Sequence, residues 1–539
     1  MINMARDPFI VACRNGRITR PGLGRLALAG LGLAGLALLS GCREAAGPRA
    51  AGPSGAETAA VSAEPGLAEL ADFLAIPNIA SDEANIRRNA ERLAEMMRRR
   101  GIAVRLVEAA GAPPVVTGEI AAPGARRTLL VYAHYDGQPV DPDRWASDPW
   151  TPVLRAGRLE DGAEVVPLDA LPPGPEGDEY RLYGRGASDD KGTIVAFLAA
   201  LDRLKAESVP LSVNVKLLFE GEEEAGSPHL EEILAANADL FRADGMILCD
   251  GPVHQTRRPQ IVFGARGVMG AELTVYGPNH ALHSGHYGNW APNPAAQLAG
   301  ILASLRDPDG RILVPGYYDD VRPLDESDRE ALAGIPRVEE SLRGEFDLAW
   351  SEGGGARLEE LIMRPALNIR GLASGAVGAK AANAVPSEAR ASIDFRLVAD
   401  QSPERVRELV EARLEALGWT VLHEAPDAAT RRSTPRLLRL DWEGGYPAYR
   451  APLDAPFSRA LVRTLDPATG EALVVMPALG GSIPMELFDR VLGLPIALFP
   501  IANHDNNQHA PNENLRIRNL RQGISMHAAL LAGLGAAWD

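Results

Sequence analysis

Four segments far apart in the chain repeat one pattern, a short apolar run that ends in histidine or acid. Residues 128–133 run into His134-Tyr135-Asp136, and residues 213–219 into Glu220-Gly221-Glu222-Glu223-Glu224. Residues 245–249 run into Asp250, and residues 495–499 lead through a short loop to His504 and His509. Apolar runs of this length, bounded by Gly, Pro and charge, read as buried strands of a largely parallel sheet, with helices at 193–207 and 228–237 between them. In open sheets of that kind ligands bind beyond the carboxyl ends of the strands, so four segments deliver polar groups to one edge. Imidazoles and carboxylates gathered there form the donor set of a two-cation hydrolase, in which one carboxylate bridges and a free one activates water.

A fifth motif, Gly184-Arg-Gly-Ala-Ser-Asp189-Asp190-Lys191-Gly192, falls between the first two runs. Each motif alone has an ordinary explanation. An acidic run suits a solvated helix start, Asp189-Asp190 suits an N-cap, and a His-x-Asp pair is common surface chemistry. Together, acids converging on one edge would repel one another without cations.

His134-x-Asp136, Asp189-Asp190-Lys191-Gly192, Glu223-Glu224-x-Gly226-Ser227, Asp250 and His509-Ala-x-Asn512-Glu513 resemble the motifs of the zinc peptidase family of carnosinases, aminoacylases, carboxypeptidase G and succinyl-diaminopimelate desuccinylase. The resemblance runs in order from about Leu67 to the C-terminus. It implies an α/β fold: a largely parallel-sheet zinc-exopeptidase catalytic domain with an inserted α+β ferredoxin-like lid. It makes Asp189 the bridging ligand, His134 and Asp250 the outer ligands of one Zn2+, and Glu224 and His509 those of a second. Glu223 becomes the general base, and Asp136 orients His134. Asp189 is chosen over Asp190 by its distance from Lys191, and His509 over His504 by the Ala-Pro-Asn-Glu that follows. A slip of one residue would exchange Glu223 with Glu224. Mn2+ or Co2+ is an alternative, since carboxylate-rich sites accept several divalent ions.

The same resemblance makes His283, in His280-Ala-Leu-His283-Ser-Gly-His286, an oxyanion-stabilising residue that dimeric members supply from the partner subunit; a surface loop histidine is the alternative. Arg396, Gly481 and Ser482 become contacts to a substrate carboxylate, since a guanidinium offers paired donors and glycines expose backbone amides. The implied activity is metal-dependent hydrolysis of an amide or peptide bond in small peptides, with dipeptides leading. The alternatives are an N-acyl amino acid amidohydrolase and a non-catalytic peptide-binding lipoprotein.

A chain of 539 residues exceeds what one core organises, so more than one domain is expected. The order of elements places the catalytic body at 66–260 and 441–539, and a lid, also a homodimer surface, at 261–440. Residues 261–263 and 268–276 open its strands, 294–305 and 402–417 are helices, 389–398 is another strand, and 307–355 shows no clear period. The net charge of −16 argues against nucleic acid as a partner, since a polyanion is repelled outside local basic patches.

The first 65 residues are different. Arg14, Arg17, Arg20 and Arg25 precede an apolar run at 26–39, shorter than the roughly 20 residues a membrane span takes but suited to a signal peptide. Leu39-Ser40-Gly41-Cys42 resembles a lipobox. It implies removal of residues 1–41, a lipid on Cys42, a flexible tether at 42–65, and a membrane-anchored protein of the bacterial envelope, on the outer membrane where there are two. Of the remaining cysteines, Cys13 would leave with the signal, and Cys249 reads as a small buried residue.

Overall fold

The computed structural model describes residues 64–538. The signal-like run, Cys42 and nearly all of the 42–65 tether lie outside the described residues. No helix among the described residues is long and apolar enough to cross a membrane.

An eight-stranded sheet forms the body. Its order is Ala103–Val107, Val115–Ile120, Asn214–Glu220, Thr128–His134, Gly245–Leu248, Ile496–Leu498, Gln260–Val262 and Val474–Met476. The four runs singled out from the sequence are its four consecutive middle strands, all parallel. Antiparallel pairs appear only toward the edges. The mixed sheet is thus parallel where both faces are covered and the strands are mostly apolar.

Alternation along Thr128–His134 shows how the two faces are filled. Leu129, Val131 and Ala133 join a core with Ile194, Leu198 and Leu520, from the helices Lys191–Ala206 and Ile517–Ala537. Leu130 and Tyr132 join the opposite core with Leu230, Ile233, Met485 and Phe488, from the helices Leu230–Ala236 and Met485–Leu492. The strand is therefore clamped from both sides, and His134 at its end is placed by the packing behind it.

A second sheet has its own core. Its order is Ala366–Ala373, Glu388–Leu397, Gly267–Tyr276, Leu437–Tyr446 and Thr420–Leu422, with the helices Pro294–Leu305 and Pro403–Ala416 supplying Leu298, Ile301, Val406 and Val410 to one face. Ser402 caps the latter helix, accepting from the Arg405 N–H at 3.2 Å, and Pro403 fills its first position.

Two expectations change. Residues 261–263 do not open the second sheet. Gln260–Val262 is fully buried and inserts between Ile496–Leu498 and Val474–Met476 in the body sheet. The chain then passes to the second sheet through Gly264–Ala265, paired with Tyr449–Arg450 on its return, and the last long strand continues to Tyr446. Residues 307–355, without a visible period, contain the short helices Glu326–Gly334 and Glu339–Glu345. The first opens with a reciprocal cap between Asp325 and Asp328. Seven to nine residues span too few turns to show an apolar stripe.

Candidate metal centre

His134, Glu224, Asp250 and His509 come from the ends of body strands or the loops after them, and Asp189 from the loop between Arg181–Tyr183, a strand of a separate four-stranded sheet, and the helix Lys191–Ala206. His134 closes its strand, fully buried, with its Nε2 2.9 Å from Asp189 Oδ1. The other carboxylate oxygen, Asp189 Oδ2, lies 3.1 Å from His509 Nε2, which is also 3.1 Å from Glu224 Oε2. Asp189 thus turns one oxygen toward each histidine. Two groups of mutually close donor atoms result, His134 with Asp189 and Asp250, and Asp189 with Glu224 and His509, each within 4.8 Å. Asp189 is common to both.

Glu223 belongs to neither group. Burial pushes its carboxyl well above the usual range, and the charges of Asp250, Asp189 and Glu224 add to that against His134. Burial, then the charge of Asp189, likewise lifts Asp250 to about 7. Asp189 moves the other way: burial would raise it, but hydrogen bonds from His134 and His509 outweigh that and hold it low. Hydrogen bonds to Asp189 and Glu224 raise His509 to about 10. Carboxylates crowded at low dielectric resist ionising together, which is the signature of a site short of positive charge.

Asp136 does more than face His134. Its Oδ1 lies 3.3 Å from His134 Nδ1, while Oδ1 and Oδ2 accept the Glu223 and Glu224 N–H groups at 3.1 and 3.0 Å. One buried carboxylate therefore lies against the imidazole and holds the loop bearing both glutamates. Asp190 instead turns inward and accepts the His134 N–H at 3.3 Å. Lys191 is fully buried and points away, its Nζ donating to the Phe73 and Ile76 carbonyls at 2.9 and 3.0 Å. His504 stands outside both groups, 4.0 Å from Asp505.

Three residues without a role in the sequence reading shape the centre. Glu513 accepts from the Gly186, Ser188 and Asp189 N–H groups, from Ser188 Oγ and from Arg185 Nη1, all between 2.8 and 3.0 Å. It moulds the loop that presents Asp189. Gln138 Nε2 donates to Glu224 Oε2, and Gln508 Nε2 to Asp189 Oδ2, each at 2.7 Å. Their only sequence signal is adjacency, Gln138 two residues after Asp136 and Gln508 next to His509.

Arg396 and Ser482 meet, with Nη1 donating to Oγ at 2.8 Å, and Arg396 Nε also donates to Asp394 at 3.1 Å. Arg266 donates to the carbonyls of Gly480 and Gly481 at 3.0 and 3.3 Å, so the 480–482 loop is tied to the second sheet. His283 is not brought to the centre. It is exposed, its Nδ1 accepts the Gly285 N–H, and its ring neighbours His286 at 4.5 Å.

Comparison with known proteins points the same way. The model of peptidase family M20/M25/M40 matches residues 166–533. The chain is 27% identical over 423 residues to the Cys-Gly metallodipeptidase dug1 of Schizosaccharomyces pombe, covering 77% of this chain and 81% of that protein. It is 28% identical over 435 residues to the Beta-Ala-His dipeptidase of Homo sapiens, covering 77% and 76%. Among solved structures, an M20 family metallo-carboxypeptidase, Sso-CP2 from Sulfolobus solfataricus, superposes with a TM-score of 0.69 at 31% identity, over 87% of this chain and 99% of that one.

Proposed function

The chain belongs to peptidase family M20/M25/M40, and from that premise we propose that it is a dizinc dipeptidase in which Glu223 is the proton carrier. Metal-dependent hydrolysis of peptide bonds is the activity of the metallodipeptidases it resembles, and the chain is an enzyme of that kind. The finer reading rests above all on one observation: Asp189 is shared by two donor groups while Glu223 stands beside them in neither.

The residues fit a pair of divalent cations. The donors are imidazole nitrogen and carboxylate oxygen, which zinc takes in catalytic sites, and Glu224 Oε1 is buried without a hydrogen-bond partner. Mn2+ and Co2+ share enough of this chemistry to remain alternatives. When bound, the cations supply the positive charge that acidifies a water and polarises the scissile carbonyl.

The chain's own groups do the rest. Glu223 accepts a proton from the attacking water and returns it to the leaving amine nitrogen. Its burial, which raises its affinity for that proton, suits it to hold the proton between the two transfers. Asp136 keeps Glu223 and His134 in register by holding both. Arg396, partnered by Ser482, offers charged donors to the free carboxylate of a short peptide, with Gly481 alongside.

The reading extends to the chain's surroundings. His283 serves the centre of a second copy, and the exposed Tyr287, Trp290, Ile369 and Leu372 favour a homodimer through the second sheet. A lid at 267–446 between two parts of the catalytic body, and a lipid anchor on Cys42 in the bacterial envelope, belong to the same proposal.

Replacing Glu223 by Gln tests it. Turnover of dipeptides should fall by about 10²- to 10⁴-fold while metal content stays near two ions per chain. A variant with the parental rate would refute the assignment. A panel of dipeptides against N-acyl amino acids tests the substrate, and preference for the latter would replace dipeptidase with deacylase.

A further inference from the structure

The two donor groups are unequally built, and the inequality centres on two amides. His134 is wholly buried, whereas the His509 side chain is 54% exposed and its backbone has a positive φ of 59°. The inner group takes His134 and Asp250 from strand ends. The outer one is held by a loop histidine, by Asp189 and by Glu224, whose second oxygen lacks a hydrogen-bond partner. Two negatively charged side chains held together by one exposed imidazole would repel one another.

Gln138 and Gln508 oppose that. Asp189 Oδ2 receives Gln508 Nε2 at 2.7 Å as well as His509, and Glu224 Oε2 receives Gln138 Nε2 at 2.7 Å as well as His509. The oxygens so held are the two that His509 Nε2 also meets. Both residues are anchored through the backbone. Asn506, 3% exposed, accepts the Gln508 N–H, and the Gly137 N–H before Gln138 donates to the Asn78 carbonyl at 2.9 Å. Among the described residues, no hydrogen bond from Gln138 or Gln508 reaches His134 or Asp250.

We propose that Gln138 and Gln508 are positioning residues for the outer cation alone, fixing the Glu224 and Asp189 oxygens so that the outer position is formed before an ion arrives. A carboxylate oxygen keeps a second lone pair for the ion while it accepts an amide. Hydrogen-bonding partners around ligands commonly contribute ten- to a hundredfold in metal affinity. The inference rests on the dinuclear reading above. It concerns ordering, so it has a direction: losing either amide weakens the second binding step and spares the first.

The test titrates the full chain, stripped with chelator, with Zn2+ against a chromophoric competitor, and repeats it with Co2+, whose visible absorption follows each site. Parental chain, Gln138→Ala, Gln508→Ala and the shortened Gln508→Asn are compared. The expected result is two steps in the parental chain, and a second step at least tenfold weaker in each alanine variant. The first step stays unchanged and serves as the control for folding. A second step that is unchanged or tighter would show that the amides compete with the ion, and would overturn the assignment. So would equal weakening of both steps in all three variants. A parental chain that binds one ion or none overturns the dinuclear reading, and this inference with it.

Discussion

The two halves of the centre contrast in what holds them. His134 and Asp250 end parallel strands packed on both faces, so their positions follow from the core. Glu224 and His509 sit on loops, tied down by Asp136, Gln138 and Gln508. The same ligand chemistry can therefore be positioned by apolar packing or by hydrogen bonds. The first couples the site to global stability, and the second leaves it free to be lost locally.

Replacing each histidine by Ala breaks this contrast most directly. His134→Ala leaves Asp136 and Asp189 buried and facing one another, and should cost about 3–5 kcal/mol in unfolding free energy together with all activity. His509→Ala, at a half-exposed position, should abolish activity yet cost at most about 1 kcal/mol. Equal losses in chemical denaturation would mean that the halves are equally supported.

Glu513→Gln probes the link between them. It removes the charge paired with buried Arg185 and turns one of several accepting positions into a donor, for an expected loss of about 2–4 kcal/mol by denaturation. Because Asp189 serves both halves, both metal-binding steps should weaken.

Acid should act on the strand-end half. His527 lies between Phe197 and Phe499, 3.8 Å from Cys249, the residue before Asp250. Burial pushes its pKa down from 6.5 to about 4. The unfolded chain alone therefore binds this proton between those values, so stability present above pH 6.5 falls as pH drops toward 4. The slope is about 1.4 kcal/mol per pH unit from this group. Unfolding free energies of the parental chain and His527→Leu, compared across that window, should differ by this slope. Parallel curves would exclude it.

The smallest effect belongs to the periphery. Arg242 and Asp239 form an ion pair exposed on both sides, and Arg242→Ala should change stability by less than about 0.5 kcal/mol. A larger loss would show that distance from the centre does not order these effects.

The same contrast decides what the sequence makes legible. His134 and Asp250 follow apolar runs whose length and composition mark buried strands, so their convergence on one edge is readable from pattern. Gln138, Gln508 and the role of Glu513 are not, because a loop amide or carboxylate gains its function from partners brought near by folding. Gln508 lies 319 positions from the aspartate it touches. Residues 261–263 are ambiguous for a related reason: three apolar residues fit either sheet, and only the pairing of Gln260–Val262 with Val474–Met476 decides between them. The helix at 402–417 is legible because Ser402 and Pro403 mark where it begins.

A crystal structure of the zinc-saturated chain, with anomalous scattering recorded at the zinc edge, tests the central claim most directly. Two peaks about 3.5–4 Å apart are expected, one on each side of Asp189. His134 and Asp250 should complete the inner set, Glu224 and His509 the outer, and Glu223 should ligate neither. A single peak, no peak, or Glu223 bound in place of Glu224 would contradict the account.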